Sequence, residues 1–115
     1  VDWLYRHGAS SVYPDAWEQF VEMIPESERG DLVGAYYRRL TGADIALRMA
    51  AARAWCAWEA ELLTLRPRGR SSGVTTAAEM ALARIEAHYF VNASFLKEGQ
   101  LIANAHRLAG LPGVI

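Results

Sequence analysis

Apolar side chains recur three and four positions apart along most of this chain, and nowhere does a two-residue alternation persist for the length of a strand. Trp17, Phe20, Val21 and Ile24 mark the first such face, in a segment opened by Pro14-Asp15 and closed by Pro25. Proline fits the first helical turn, aspartate favours its positive end, and the residue before a proline disfavours helical geometry. The spacing therefore predicts a helix over residues 14 to 24. A second is predicted over 27 to 40, with Leu32, Tyr36 and Leu40 in line, Arg38 and Arg39 at its negative end and Thr41-Gly42 as its stop. Asp44 stands where it can cap a long alanine-rich helix over 45 to 65, whose inner side carries Ala51, Trp55, Trp58, Leu62 and Leu65. Thr75 or Thr76 caps another over 77 to 91, and a last one runs from Glu98 or Gln100 to Leu108, ended by Gly110 and Pro112.

What lies between is turn-like. Residues 1–13 mix aromatics with Gly8-Ala9-Ser10-Ser11, and residues 66–73 form a loop rich in Pro, Gly and Ser. The expected fold is all-α, one helical domain of about five to six helices over residues 1–113. Val114-Ile115, a β-branched pair after Pro112-Gly113, reads as the beginning of a strand, and hence of a longer protein from which this chain is a piece.

Composition narrows the function classes. At 115 residues, 52% hydrophobic and 22% charged, the chain is sized for one globular domain. Twelve basic residues against thirteen acidic ones leave a net charge of -1, so nothing draws it toward nucleic acid or an anionic membrane. The most apolar stretch is interrupted by Arg48, Arg53, Glu59 and Glu61 and is too polar to span a bilayer. A single cysteine, Cys56, excludes an internal disulfide framework and suits a reducing, cytoplasmic setting, with the thiol acting as a small buried hydrophobe.

Several motifs dissolve on inspection. Gly69-Arg70-Ser71-Ser72-Gly73 matches the letters of a G-x-S-x-G nucleophile elbow, but it follows the end of a helix, and no strand supports the turn. No catalytic residue is assigned. His7, His88 and His106 lie far apart without metal-ligand spacing, so no metal or cofactor is expected. Arg66, Arg68 and Arg70 lack interleaved aromatics and read as a solvated loop.

Two carboxylates resist so plain a reading. Glu59 follows Trp55 and Trp58 on one predicted helix, and Glu86 precedes Tyr89 and Phe90 on another, on a face shared with Leu82. Glutamates are seldom buried unless paired. Salt bridges to Arg53 and Arg84 would satisfy them. So would convergence into a small apolar cage that takes a cation, and spacing alone leaves both open.

Longer blocks bear on the choice. Asp2-Trp3-Leu4-Tyr5-Arg6-His7-Gly8-Ala9-Ser10, Pro14-Asp15-x-Trp17-Glu18, the run from Arg29 to Gly42, Trp55-x-x-Trp58-Glu59, Ala83-Arg84-Ile85-Glu86-x-His88-Tyr89-Phe90 and Leu111-Pro112-Gly113-Val114-Ile115 together resemble the helical cap of the prolyl aminopeptidases (proline iminopeptidases). These are α/β-hydrolases in which a Ser-Asp-His triad on the hydrolase core releases an N-terminal proline from peptides. The resemblance implies that this chain is the substrate-selecting lid, inactive alone, whose partners are the hydrolase core and peptides with N-terminal proline. It implies that Glu59 and Glu86 bind the substrate α-amine, that Phe90 packs the proline ring, and that Tyr5 and Leu4 help to line the site. Leu4 stands where the family usually carries an aromatic, which implies a looser proline pocket. Arg6, Cys56 and Ala87 replace the common glutamine, serine and asparagine. Other classes compatible with the residues are a free-standing helical interaction module and the cap of a different hydrolase. An apolar face cut from its enzyme would also self-associate.

Overall fold

A computed structural model describes residues 1–63 and 76–113. Helix begins earlier than the pattern indicates. Asp2–Tyr5 (α1) and Ala9–Val12 (α2) are each a single turn, joined at Gly8, whose φ of 111° belongs to glycine. A β-carbon at Gly8 would run into the Trp3 indole, so the sharp reversal that the sequence marks as a turn is also a close approach of backbone to ring.

Pro14–Glu22 forms α3 with proline in its first turn, matching expectation, and buries Phe20. The next expected helix is split. Glu26–Asp31 is a 3-10 turn, and the α-helix proper, α4, spans Leu32–Thr41. The break is local chemistry. The Asp31 carboxylate accepts the Gly34 N–H at 3.1 Å and so caps a new helix instead of continuing the old one. A β-carbon at Gly34 would collide with that carboxylate, so Asp31 and Gly34 work as one unit. Glu28 then ties the 3-10 turn to α4, taking Arg39 in a two-pronged pair at 2.8 and 3.0 Å and Arg38 at 2.9 Å.

The long helix α5 spans Ile45–Leu62, with the Asp44 carboxylate accepting the Leu47 N–H at 3.0 Å as its cap. Helix α6, Ala77–Val91, starts on a capping box in which Thr76 and Glu79 satisfy each other's backbone N–H. Of the two candidate caps it is Thr76 that serves; Thr75, Leu65, residues 66–73 and Val114-Ile115 lie outside the described residues. The last expected helix is Gln100–Asn104 (α7), running into a 3-10 turn at Ala105–Leu108.

Helices α4, α5 and α6 pack on one another, and α3 lies on α5. Ala51, Ala52, Ala83 and Ala87 are fully buried where they meet, because small side chains let helices approach closely. The face that Leu82, Glu86, Tyr89 and Phe90 share is not, as a whole, the inner face of α6. Leu82 and Tyr89 are exposed, and the helix turns Ala83, Ala87 and the half-buried Met80 and Phe90 inward instead. Around that contact sits an aromatic core of Tyr5, Phe20, Tyr36, Trp55 and Trp58. Phe20 and Tyr36 stack at 4.4 Å, and the Tyr36 hydroxyl donates to the Phe20 carbonyl at 2.7 Å, so the polar end of the ring is satisfied where it is buried.

Candidate functional site

Three elements deliver the two glutamates to one place. The single turn α1 buries only Tyr5, which is wholly enclosed and stacks on Trp55 of α5 with ring centres 4.7 Å apart. That stack aims the Tyr5 hydroxyl at α5, where it donates to Oε1 of Glu59 in a short hydrogen bond. Trp55, fully buried one turn before Glu59, sends its indole N–H across to Oε2 of Glu86 on α6, at 3.0 Å. Phe90, one turn beyond Glu86, lies 5.4 Å from the Tyr5 ring and 6.1 Å from that of Trp55. Glu59, Glu86, Phe90 and Tyr5 are thus brought together, with Leu4 half-buried against the core beside Tyr5.

The arginines expected as bland partners line surface hollows. Arg53 lines a 440 Å³ groove between α3 and α5 with Asp15, Gln19, Trp58 and Glu61, and it helps to hold Glu79 below its ordinary range. Arg84 lies beside Tyr37, Ile85 and His88 at another surface hollow. Among the described residues, the aromatic donors on the glutamate pair are neutral, a phenol and an indole.

That arrangement sets the electrostatics. Burial is the largest influence on Glu59 and raises its pKa from 4.5 to about 7. The Tyr5 hydroxyl and the Trp55 N–H pull the other way, while Glu86 adds to the rise through its own hydrogen bond and charge. The Tyr5 phenol is pushed far above its ordinary value, by burial first and then by Glu59 and Glu86, so its proton stays on the hydroxyl as a permanent donor. Cys56 is half-buried, with Sγ 3.6 Å from the Glu79 carbonyl. Burial and the nearby glutamates push its thiol up to about 11, which keeps it protonated and unreactive.

Chemically, two converging carboxylates beside aromatic rings could accept a small cation. A carboxylate has two oxygens and about four lone-pair positions. One oxygen of each glutamate takes an aromatic donor and the two glutamates share a hydrogen bond, which leaves the rest of their acceptor capacity on half-buried side chains. A protonated secondary amine has two N–H donors and two flanking methylenes, and it matches that pattern of two acceptors and a ring.

Reading from residues alone missed Trp55, which was accounted for wholly as core. The signal was present, since a buried indole N–H needs an acceptor and Glu86 is the unexplained carboxylate on a neighbouring helix. Trp58 shows why the rule does not decide by itself. It is equally buried, yet its Nε1 finds no acceptor among the described residues, and its ring packs at 5.2 Å on Trp17 and 5.7 Å on Phe20.

The histidines do not meet. His88 Nδ1 lies 3.1 Å from the Tyr37 hydroxyl, His106 Nδ1 lies 3.0 Å from the Ala103 carbonyl, and His7 is exposed near α1. Among the described residues, no three His, Cys, Asp or Glu side chains gather as a metal cluster. Nor is any described helix long and apolar enough to cross a membrane.

No protein-family model matches the chain, but individual proteins do. It is 46% identical over 121 residues to the proline iminopeptidase of Xanthomonas citri, an alignment that takes in all of this chain and 38% of that protein. The proline iminopeptidase of Xylella fastidiosa is 45% identical over 118 residues with the same coverage. That of Arabidopsis thaliana is 45% identical over 114 residues, which are 94% of this chain and 30% of the plant protein. The chain thus spans little more than a third of the length of the curated relatives it matches, at 38% in the two bacterial cases. An all-helical segment whose two glutamates converge beneath a phenylalanine is therefore homologous, over its whole length, to one part of the proline iminopeptidases.

Proposed function

We propose that the chain is the helical cap of a serine aminopeptidase that releases N-terminal proline from peptides. Glu59 and Glu86 take the protonated α-amine, and Phe90 and Leu4 face the pyrrolidine ring. The single observation that carries this reading is the convergence of two carboxylates that take neutral aromatic donors, a phenol and an indole, among the described residues. An empty pair of that kind holds unbalanced negative charge, and an arriving ammonium relieves it with charge-assisted hydrogen bonds. An internal peptide bond brings no such charge, so the pair selects chain ends.

The cap selects, and the cleaving groups belong to the hydrolase core on which it sits. By itself the chain is expected to bind and not to cleave. Its surface suits a cap. Ile85 and Tyr89 on α6, Ile102 on α7 and Leu111 beyond it are exposed, an apolar display that fits a domain made to sit against another.

The test uses the intact protein. Glu59→Gln and Glu86→Gln each keep the side-chain shape and remove the charge. Each is expected to lower kcat/KM for a free-amine prolyl substrate about 10- to 100-fold, the worth of one charge-assisted hydrogen bond. Turnover of an amine-blocked prolyl substrate should be unchanged. Full activity of either variant on the free-amine substrate overturns the reading.

A further inference from the structure

Tyr5 occupies an odd position for a residue that contacts a ligand, because it has no exposed surface at all. It is the one buried residue of a four-residue helix, and its ring is fixed on three sides, 4.7 Å from Trp55, 5.4 Å from Phe90 and 6.0 Å from Phe20. A ring so held has no freedom to aim its hydroxyl elsewhere, and the hydroxyl is spent on Glu59. We infer that Tyr5 is a positioning residue: from within the core, its hydroxyl holds one oxygen of Glu59 and so fixes that carboxylate beside Glu86. This inference rests on the amine-binding role proposed for the pair.

The groups that face Glu59 make the argument specific. From α6 comes Glu86, which disfavours its charge, and from α1 comes Tyr5, which favours it. Its own helix supplies the Trp55 N–H, also favourable, and the protonated Cys56 thiol. Burial and Glu86 therefore work to protonate Glu59, and Tyr5 is the first-ranked influence that opposes them. Without the hydroxyl, Glu59 would spend more of the neutral pH range as a carboxylic acid, which cannot pair with an ammonium as an anion.

The experiment is the inhibition constant of pyrrolidine against pH in the intact protein. Pyrrolidine is the bare ring amine, and it stays protonated from about pH 5 to 9, so its own titration does not intrude. In the parent protein, inhibition should strengthen as pH rises through about 7, where Glu59 ionises. Tyr5→Phe keeps the ring and deletes the hydroxyl. It should move that rise upward by about one pH unit while leaving the high-pH plateau within about twofold of the parent. An unmoved midpoint with weaker inhibition at every pH would make Tyr5 merely structural and overturn the inference. Replacing Tyr5 with 3-fluorotyrosine, a stronger donor of nearly the same shape, should shift the midpoint downward, and it keeps the test alive if the phenylalanine variant folds poorly. Glu59→Gln separates the two readings. If it keeps the parental pH rise, the amine-binding role of Glu59 is what fails; if it abolishes the rise while Tyr5→Phe and the fluorinated form leave it in place, only the role of Tyr5 fails.

Discussion

Glu28 and Glu59 are the same residue in one small domain, and their surroundings drive them in opposite directions. Glu28 faces the guanidinium groups of Arg39 and Arg38, whose hydrogen bonds hold its pKa near 2 rather than 4.5. Glu59 is half-buried beside a second carboxylate, with a phenol and an indole as its aromatic donors among the described residues, and burial raises its pKa to about 7. At the clamp, the charge is matched within the chain. At the pair, no ion pair is found among the described residues. A carboxylate satisfied by arginines has finished its work when the protein folds, whereas one held in place by neutral donors is oriented but still short of a counter-charge. That shortage is what the proposed amine-binding role requires of the pair and not of the clamp.

The contrast is open to direct attack through stability, where the larger effect should come from the pair. Glu59 binds its proton more tightly folded than unfolded, so between pH 4.5 and about 7 the folded state carries the extra proton. Its contribution to stability is then fully present below the unfolded value and is lost as pH rises through the folded one. With solvent screening of its exposed part allowed for, the empty site should lose about 1–2 kcal/mol over that window. Denaturant unfolding of the intact protein at about pH 5 and about pH 8 measures it, and Glu59→Gln should flatten the dependence. Adding pyrrolidine at the higher pH should restore stability to the parent and not to the variant, because a ligand that binds only the folded state raises its stability. A parent that unfolds identically at both pH values would erase the distinction between clamp and receptor.

How much of this contrast could be read from the chain differs between its two halves. Helices α3, α5 and α6 were legible because proline, Asp44 and Thr76 are strong boundary signals and the apolar spacing is regular. The start of α4 was not, since residues 27–31 carry no apolar side chain whose spacing would separate the 3-10 turn from the helix that Asp31 caps. The first two single-turn helices escaped for a different reason. Four residues hold too little periodicity to register, and what stabilises α1 is the burial of Tyr5 against residues fifty positions away, a tertiary effect. The site followed the same division. Glu59 and Glu86 were conspicuous by their aromatic neighbours, and their homologous context suggested a ligand. Which side chains hold them could not be read, because the nearest plausible partners in sequence were Arg53 and Arg84, whereas Tyr5 reaches Glu59 from α1 and Trp55 reaches Glu86 from α5. Glu28 was not singled out at all. Its two arginines are ten and eleven positions away, a spacing that becomes a contact only because the chain turns at Asp31.

The smaller effect belongs to that clamp, and it should run the other way in pH. A carboxylate whose folded pKa is depressed contributes stability that is present above its unfolded value and is lost as pH falls toward the folded one. For Glu28 that window lies between 4.5 and about 2. Glu28→Gln should therefore weaken the protein modestly at neutral pH and make its thermal midpoint less sensitive to acid. The dependence should not vanish, because Glu79 is also held below its ordinary range, chiefly by the Thr76 backbone N–H and hydroxyl at the start of α6. The double variant Glu28→Gln, Glu79→Gln should remove more of the acid limb than either change alone, and nearly additively, since one carboxylate braces α4 and the other caps α6. Neither change should alter the pH midpoint for pyrrolidine inhibition. If Glu28→Gln moved that midpoint, the clamp and the pair would be coupled through α4, and a charge balanced within the chain could no longer be treated as separate from one left open to a ligand.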